Sequence, residues 1–374
     1  MMKKRKEIVT YIYDQALAKK TNNCVTRHQC LDSKNLDEFD KVENTEENLI
    51  LLPREISCYG CNKIINKVHG NYVYSCVKCG RKFQKFRYFS TPQTNKVAIV
   101  TGARTKLGHQ ICLKLLRAGA IVFGTTRFPE KAQQIFELYH DYPIWKDKLF
   151  LYALDMDAEN MEEIFLKFRD FVALKFSKID ILVHCAAQTI RHREKMTNEE
   201  REQCKEKNRY GDRKFVEKGA VNSWNMLLPD IIQKEMEELF RINSIAPVLL
   251  TKTFLDLLKQ SDHAFIINVH AKEGLFDTHK TANHMHTNMA KSALCMFTRV
   301  LIEHNYVSNT TGKKFSIHGC DPGWISVDEY ELKGSPWITP PLDEIDGAAR
   351  ILYPLFMNRS SNSKTRRHFE SFRF

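Results

Sequence analysis

Six short apolar runs separated by helix-length stretches leave the chain between residues 96 and 357 few folds to choose from. They read KVAIVT, AIVFGTT, KLFLYALD, IDILVHCAA, AFIINVH and KFSIHGC. Strands that are apolar on both faces must be covered on both faces, and strands joined through helices of about a dozen residues pair in parallel. The expectation is an α/β chain with a doubly wound parallel sheet over residues 93–357.

The turn after the first run is TGARTKLG, Thr101 to Gly108, and it opens a helical pattern. Glycines at such a turn let the backbone approach a pyrophosphate while the helix N-terminus supplies N–H donors. A Rossmann-like sheet is therefore expected, with Thr101, Gly102, Arg104, Lys106, Leu107 and Gly108 in contact with a dinucleotide. Lys106 stands at the middle glycine position. After the second run, TTRFPEK offers Arg127 and no acid. A cation there meets a ribose 2′-phosphate, whereas an acid would meet a 2′-hydroxyl, so NADP(H) is favoured over NAD(H).

A separate pattern precedes the sheet. Cys58, Cys61, Cys76 and Cys79 form two C-x2-C pairs with fourteen residues between them. Two-residue spacing lets both thiolates of a pair reach one ion, and four complete a closed tetrahedral shell, so a single structural Zn2+ in a small ribbon-like module over residues 53–92 is expected. The other seven of the eleven cysteines are scattered and read as small buried hydrophobes. Seven Lys/Arg and no Asp/Glu fall in residues 58–89, with Phe83, Phe86, Tyr88 and Phe89 among them. Such a segment either tracks a nucleic-acid backbone and stacks its bases or is a basic hairpin whose aromatics pack on the neighbouring domain, and the packed hairpin is the preferred reading.

Here the sequence resembles the short-chain dehydrogenase/reductase family, from about residue 96 to 357. The residues that carry the resemblance are TGARTKLG, Asp155 after the third run, HCAA with Ala186, Asn243 in RINSIAP, Lys291, and DPGW with Pro322 and Gly323. More closely, AAQTIRH, HTNMAK and DEIDGAARILYPLF resemble an uncharacterised subgroup that carries a cysteine-pair module before the Rossmann domain. The resemblance implies that Asp155, Ala186, Pro322 and Gly323 touch the cofactor, that Lys291 holds its ribose, and that Asn243 serves a water relay. It also implies an oxidoreductase acting on a carbonyl or alcohol. Two of the family's usual catalytic groups are missing: Thr287 stands in the tyrosine position, and NVHAKEG puts His270 and Ala271 where the serine lies.

Helical spacing, extended back to residue 284, puts His284, Thr287 and Lys291 on one face and turns His286 away. His284 or His270 then becomes the candidate proton donor, with Thr287 orienting the substrate oxygen. The competing expectation is a non-catalytic NADP-binding scaffold whose module and basic ends contact a protein or nucleic acid. Of the net charge of +12, residues 1–95 carry +7 and residues 358–374 carry +4, so attraction to a polyanion belongs to the ends.

Residues 1–52 read as a polar extension, partly disordered, and 358–374 as a basic tail. Residues 189–225 read as a surface insertion or a lid. No apolar run reaches the roughly 18 residues of a membrane helix, and the basic start lacks the apolar stretch of a secretory signal, so a cytoplasmic location is expected. The substrate is not legible, and self-association is left open.

Overall fold

The computed structural model describes residues 49–188, 226–304, 314–325 and 340–357. Most of the polar extension, the stretch 189–225 and the basic tail lie outside the described residues. Two sheets are present. The smaller is antiparallel, β1 (Leu49–Ser57), β2 (Ile64–His69) and β3 (Tyr72–Cys76), and leads straight into helix α1 (Val77–Tyr88). The larger holds all six expected strands in parallel: β4 (Val97–Thr101), β5 (Ile121–Thr126), β6 (Leu149–Ala153), β7 (Ile181–His184), β8 (His263–Val269) and β9 (Lys314–Cys320).

Their order is β6-β5-β4-β7-β8-β9, so the winding reverses between β4 and β7. A crevice opens at the carboxyl ends of the strands at such a reversal. Strand residues alternate between two cores. Ala98, Val100, Ile181 and Val183 face one layer, built by α2 (Lys106–Arg117) and α8 (Glu344–Phe356). Val97, Ile99 and Leu182 face the other, with Phe165 and Phe168 of α4 (Met161–Ala173) and Leu250 and Phe254 of α6 (Ala246–Leu258). Helix α3 (Pro129–Phe136) links β5 to β6, while α5 (Gln233–Phe240) and α7 (Met285–His304) complete the array.

The module departs from its expected outline in two ways. β1 begins at Leu49, inside the stretch read as polar extension, because Ile50, Leu52 and Val68 pair into a small apolar core. The basic, aromatic segment after Cys79 is a helix rather than part of a hairpin. Phe83 joins the module core, Phe86 meets Tyr353 edge-on at 4.8 Å, and Phe89 meets Phe356 at 6.4 Å. Those three rings are spent on packing, mostly against α8.

Polar contacts reinforce that docking. Tyr72 donates to Asp346 Oδ1 at 2.8 Å, and Arg87 Nη1 reaches Asp343 Oδ1 at 2.7 Å and Asp346 Oδ1 at 3.0 Å. Asp343 also caps α8, accepting from the Ile345 and Asp346 amides. Burial, with Asp343 alongside, pushes the Asp346 carboxyl up to about 6.

One buried group gives the fold an acid limit. His184, at the end of β7, has Nε2 2.8 Å from Thr251 Oγ1, whose own proton goes to the Pro247 carbonyl at 2.8 Å. Nε2 is therefore the donor. Burial pushes this imidazole down to about 3. An unfolded histidine binds a proton near 6.5, so the unfolded state gains protons first as pH falls. Stability from this site is complete above pH 6.5 and drains away down to about pH 3, a loss on the order of 5 kcal/mol. His184→Gln keeps a donor at that place without titrating. Urea unfolding of the variant should show a shallower fall in stability between pH 6.5 and 4 than the wild type, with His109 and His270 still contributing, and an unchanged wild-type slope would contradict the assignment.

Candidate cofactor cleft and cysteine cluster

The glycine turn is built by close approaches that exclude larger side chains. Thr101, 1% exposed, accepts from the Cys185 and Ala186 amides at 2.9 Å each, tying the end of β4 to the end of β7. Gly102 has φ +80°, and a Cβ there would come within 3.0 Å of the Ala186 backbone. A Cβ on Gly108 would come within 2.2 Å of the Gly102 carbonyl oxygen. Lys106 adopts φ +53°, the left-handed conformation for which glycine is the usual choice.

A cavity of about 990 Å3 opens over this turn. At one end Arg104, Arg127 and Lys131 surround Phe128, with cation-to-ring distances of 5.2, 5.7 and 5.4 Å. The two arginines follow from the sequence; Lys131 and Phe128 went unnoticed there, although the run RFPEK holds three of the four groups. Leu107, Asp155 and Ala186 line the same cavity. Asp155 Oδ1 accepts from the Asp157 amide at 3.0 Å.

At the other end the wall carries His270, Thr287, Lys291, Asp321, Pro322 and Gly323. Lys291 donates to the Val269 carbonyl at 2.9 Å, and burial holds its ammonium below the ordinary lysine value. Thr287 is 2% exposed, and its hydroxyl has no hydrogen-bond partner among the described residues. His270, 1% exposed, is held below 6.5 by burial, with Asp321 drawing it upward and Lys291 adding to the depression. Asp321 Oδ1 accepts from the Gly323 amide at 2.7 Å and fixes the turn of DPGW.

One expectation needs correction. Helix α7 starts at Met285, and His284 precedes it with φ +43°, its amide bonded to the Met226 carbonyl at 3.1 Å. The helical spacing that grouped His284 with Thr287 and Lys291 does not reach residue 284, and the cavity wall carries His270 but not His284. His286, expected to turn away from Thr287 and Lys291, is absent from the cavity wall and is buried elsewhere, 1% exposed.

Asn243 lies in a π-helical turn, Arg241–Ile245, between α5 and α6. Pro247 has no N–H to give the residue 243 carbonyl and crowds it, which favours the wider turn in which Ala246 bonds to Arg241. The Asn243 amide clamps the backbone of Gln188, accepting from its N–H at 2.8 Å and donating to its carbonyl at 2.9 Å. It holds the segment that enters the cavity wall at Gln188 rather than lining the cavity itself.

The cysteine module closes the cavity from outside. The sulfurs of Cys58, Cys61, Cys76 and Cys79 lie within 4.8 Å of one another, Cys61 and Cys76 being 3.9 Å apart. Tetrahedral zinc thiolates with bonds of about 2.3 Å put sulfurs ~3.8 Å apart. The cluster has the donor set and spacing to hold such an ion. Gly60 makes the knuckle possible: a Cβ there would meet Cys79 at 2.8 Å. Ser57, Tyr59, Gly60, Asn62 and Phe83 of the module all line the cavity.

Comparison with known proteins places this geometry. The short chain dehydrogenase family profile matches residues 96–211. "Uncharacterized protein R665" of Acanthamoeba polyphaga mimivirus is 34% identical over 342 residues, 82% of this chain and 73% of its own. The chain belongs to the short-chain dehydrogenase family. The share matched by the viral protein exceeds what residues 93–357 alone supply, so that likeness runs beyond the Rossmann sheet.

Among members of the family with assigned names, the (+)-neomenthol dehydrogenase of Arabidopsis thaliana is 28% identical over 187 residues, and the chain spans 55% of its length. A short-chain dehydrogenase of Shigella flexneri superposes with a TM-score of 0.53 at 18% identity, over 72% of this chain and 89% of the other. An Escherichia coli CFT073 structure of this family, complexed with NADPH, gives 0.51 at 17% identity over 71% and 90%. At such identities the likeness establishes the fold. No helix among the described residues is long and apolar enough to cross a membrane.

Proposed function

We propose that the chain is an NADP(H)-dependent oxidoreductase acting on a carbonyl or alcohol, with one structural zinc ion on Cys58, Cys61, Cys76 and Cys79. The observation that carries the reading is one cavity that joins the glycine turn, the cations around Phe128 and Lys291. The division at residue 92/93 between module and Rossmann domain is part of the proposal, and so is the placing of the cofactor along that cavity. The NADPH bound to the Escherichia coli relative supports the choice of coenzyme.

When bound, NADPH supplies hydride at its nicotinamide ring. The chain's own groups do the rest. Gly102 and Gly108 let the backbone approach the pyrophosphate, and Arg104 and Arg127 take the 2′-phosphate beside the Phe128 ring. Lys291, already oriented by the Val269 carbonyl, keeps two further N–H donors for the ribose. The Thr287 hydroxyl orients the substrate oxygen, and His270 supplies the proton. Threonine cannot replace tyrosine as an acid, whereas an imidazole can act near neutral pH.

The test separates binding from turnover: NADPH and NADH affinities by fluorescence titration, then NADPH oxidation over a panel of aldehydes, ketones and quinones. Arg127→Asp removes a charge-assisted contact of about 1.5–3 kcal/mol and adds repulsion. It should weaken NADPH by roughly 10- to 150-fold and leave NADH little changed. An undiminished preference for NADPH in that variant would refute the coenzyme assignment. Firm NADPH binding without turnover on any substrate would instead favour a non-catalytic scaffold.

A further inference from the structure

The first cysteine knuckle reaches across to the turn of DPGW. Between Cys58 and Cys61 stand Tyr59 and Gly60, and Gly60 brings the knuckle backbone against Cys79 and Phe83. Tyr59 then points at the Rossmann domain, and its hydroxyl accepts from the Trp324 amide at 2.9 Å. The fit depends on Gly323. That residue has φ +82°, and a Cβ there would stand 2.9 Å from the Tyr59 hydroxyl and 3.2 Å from Arg350 Nε. A phenol that accepts one hydrogen bond still has its own proton to donate. Tyr59 lines the cavity with Pro322, Gly323, His270 and Lys291; His270 and Gly323 follow β8 and β9, across the β4/β7 reversal from Arg104 and Arg127, which follow β4 and β5.

We propose that Tyr59 is a ligand-binding residue of the Rossmann cleft, contributed by the cysteine module, whose hydroxyl donates a hydrogen bond to the nicotinamide half of the bound dinucleotide. The inference rests on the NADP(H) reading and deepens it. The module is then a wall of the binding site rather than an attached ornament. No covalent step is involved: the phenol orders the reactive end of the cofactor, while the far end is held by the cations around Phe128.

Two probes read the two halves of the site. One is NADPH; the other is 2′-phospho-ADP-ribose, which carries the phosphate-rich half without the ring. Tyr59→Phe in the full chain keeps the ring and its packing and removes the proposed hydrogen bond to the cofactor together with the acceptor of the Trp324 amide. It should weaken NADPH roughly three- to tenfold, leave 2′-phospho-ADP-ribose within twofold, and alter the emission of bound NADPH. Arg127→Asp should weaken both probes. Unchanged NADPH affinity in Tyr59→Phe overturns the proposal and leaves the coenzyme reading standing. Equal weakening of both probes also overturns it, since the residue would then act through the cleft as a whole. Binding of neither probe to the wild-type chain overturns both proposals together.

Discussion

Stripping the metal from Cys58, Cys61, Cys76 and Cys79 with a strong chelator, or replacing Cys79 by serine, is expected to unfold the module and leave the parallel sheet intact. Apart from its docking on α8, the module has only a small core of its own. Its own apolar groups form two small clusters, one around Cys58, Tyr72, Cys79 and Phe83 and one around Ile50, Leu52 and Val68. Bodies near 40 residues bury too little surface to stand without a metal, disulfides or a partner. Structural zinc contributes on the order of 10–16 kcal/mol of apparent binding free energy in comparable small sites. Purified protein should therefore hold about one zinc per chain. Its removal should expose the β1–β3 amides to exchange while protection persists in β4, β7 and β8. A metal-free protein with an unchanged thermal transition would remove the zinc site from consideration.

The second large effect concerns proton supply. His270→Ala should lower NADPH-dependent turnover by roughly 10²- to 10⁴-fold, the usual contribution of a positioned acid. A direction in pH follows as well. Burial holds His270 below 6.5, and a general acid must be protonated, so the rate should fall as pH rises through that depressed value and level off below it. The alanine variant should lack this limb. His284→Ala is the contrasting substitution, since its imidazole belongs to the segment before α7 and lies outside the cavity wall. Turnover indifferent to both substitutions would exclude histidine as the donor.

The sheet was legible because each strand is a run of apolar residues, buried on both faces in all but the half-buried edge strand β6, and each crossover has its own helical period; all six strands appear where those runs lie. The glycine turn was legible in part for a local reason, since Gly108 is required by the Gly102 carbonyl six residues before it, whereas the close approach of Gly102 to Ala186 is tertiary. The start of α7 was not. The run ANHMHTNMAK has no proline or capping signal to stop the helical period at residue 285, and what ends it is the amide of His284 meeting Met226, far away in sequence. The segment after Cys79 looked like basic hairpin because its aromatics and cations suit either structure. Only the packing of Phe86 and Phe89 on α8 decides for a helix. Tyr59 was out of reach altogether. Its partners, Gly323 and Trp324, are set by tertiary contact.

The clasp between the module and α8 also sets an order of events at the ribosome. Tyr72 and Asp346 are 274 residues apart in the chain. At synthesis rates of ~5–20 residues per second, the cysteines emerge roughly 15 to 55 seconds before the helix that covers them. During that interval Phe86 and Phe89 lack the α8 rings that cover them, and four thiols are open to oxidation. A metal captured early, at the zinc site proposed above, would hold the knuckles in register until α8 arrives, so the yield of folded chain is expected to respond to zinc supplied during synthesis more than to zinc added afterwards.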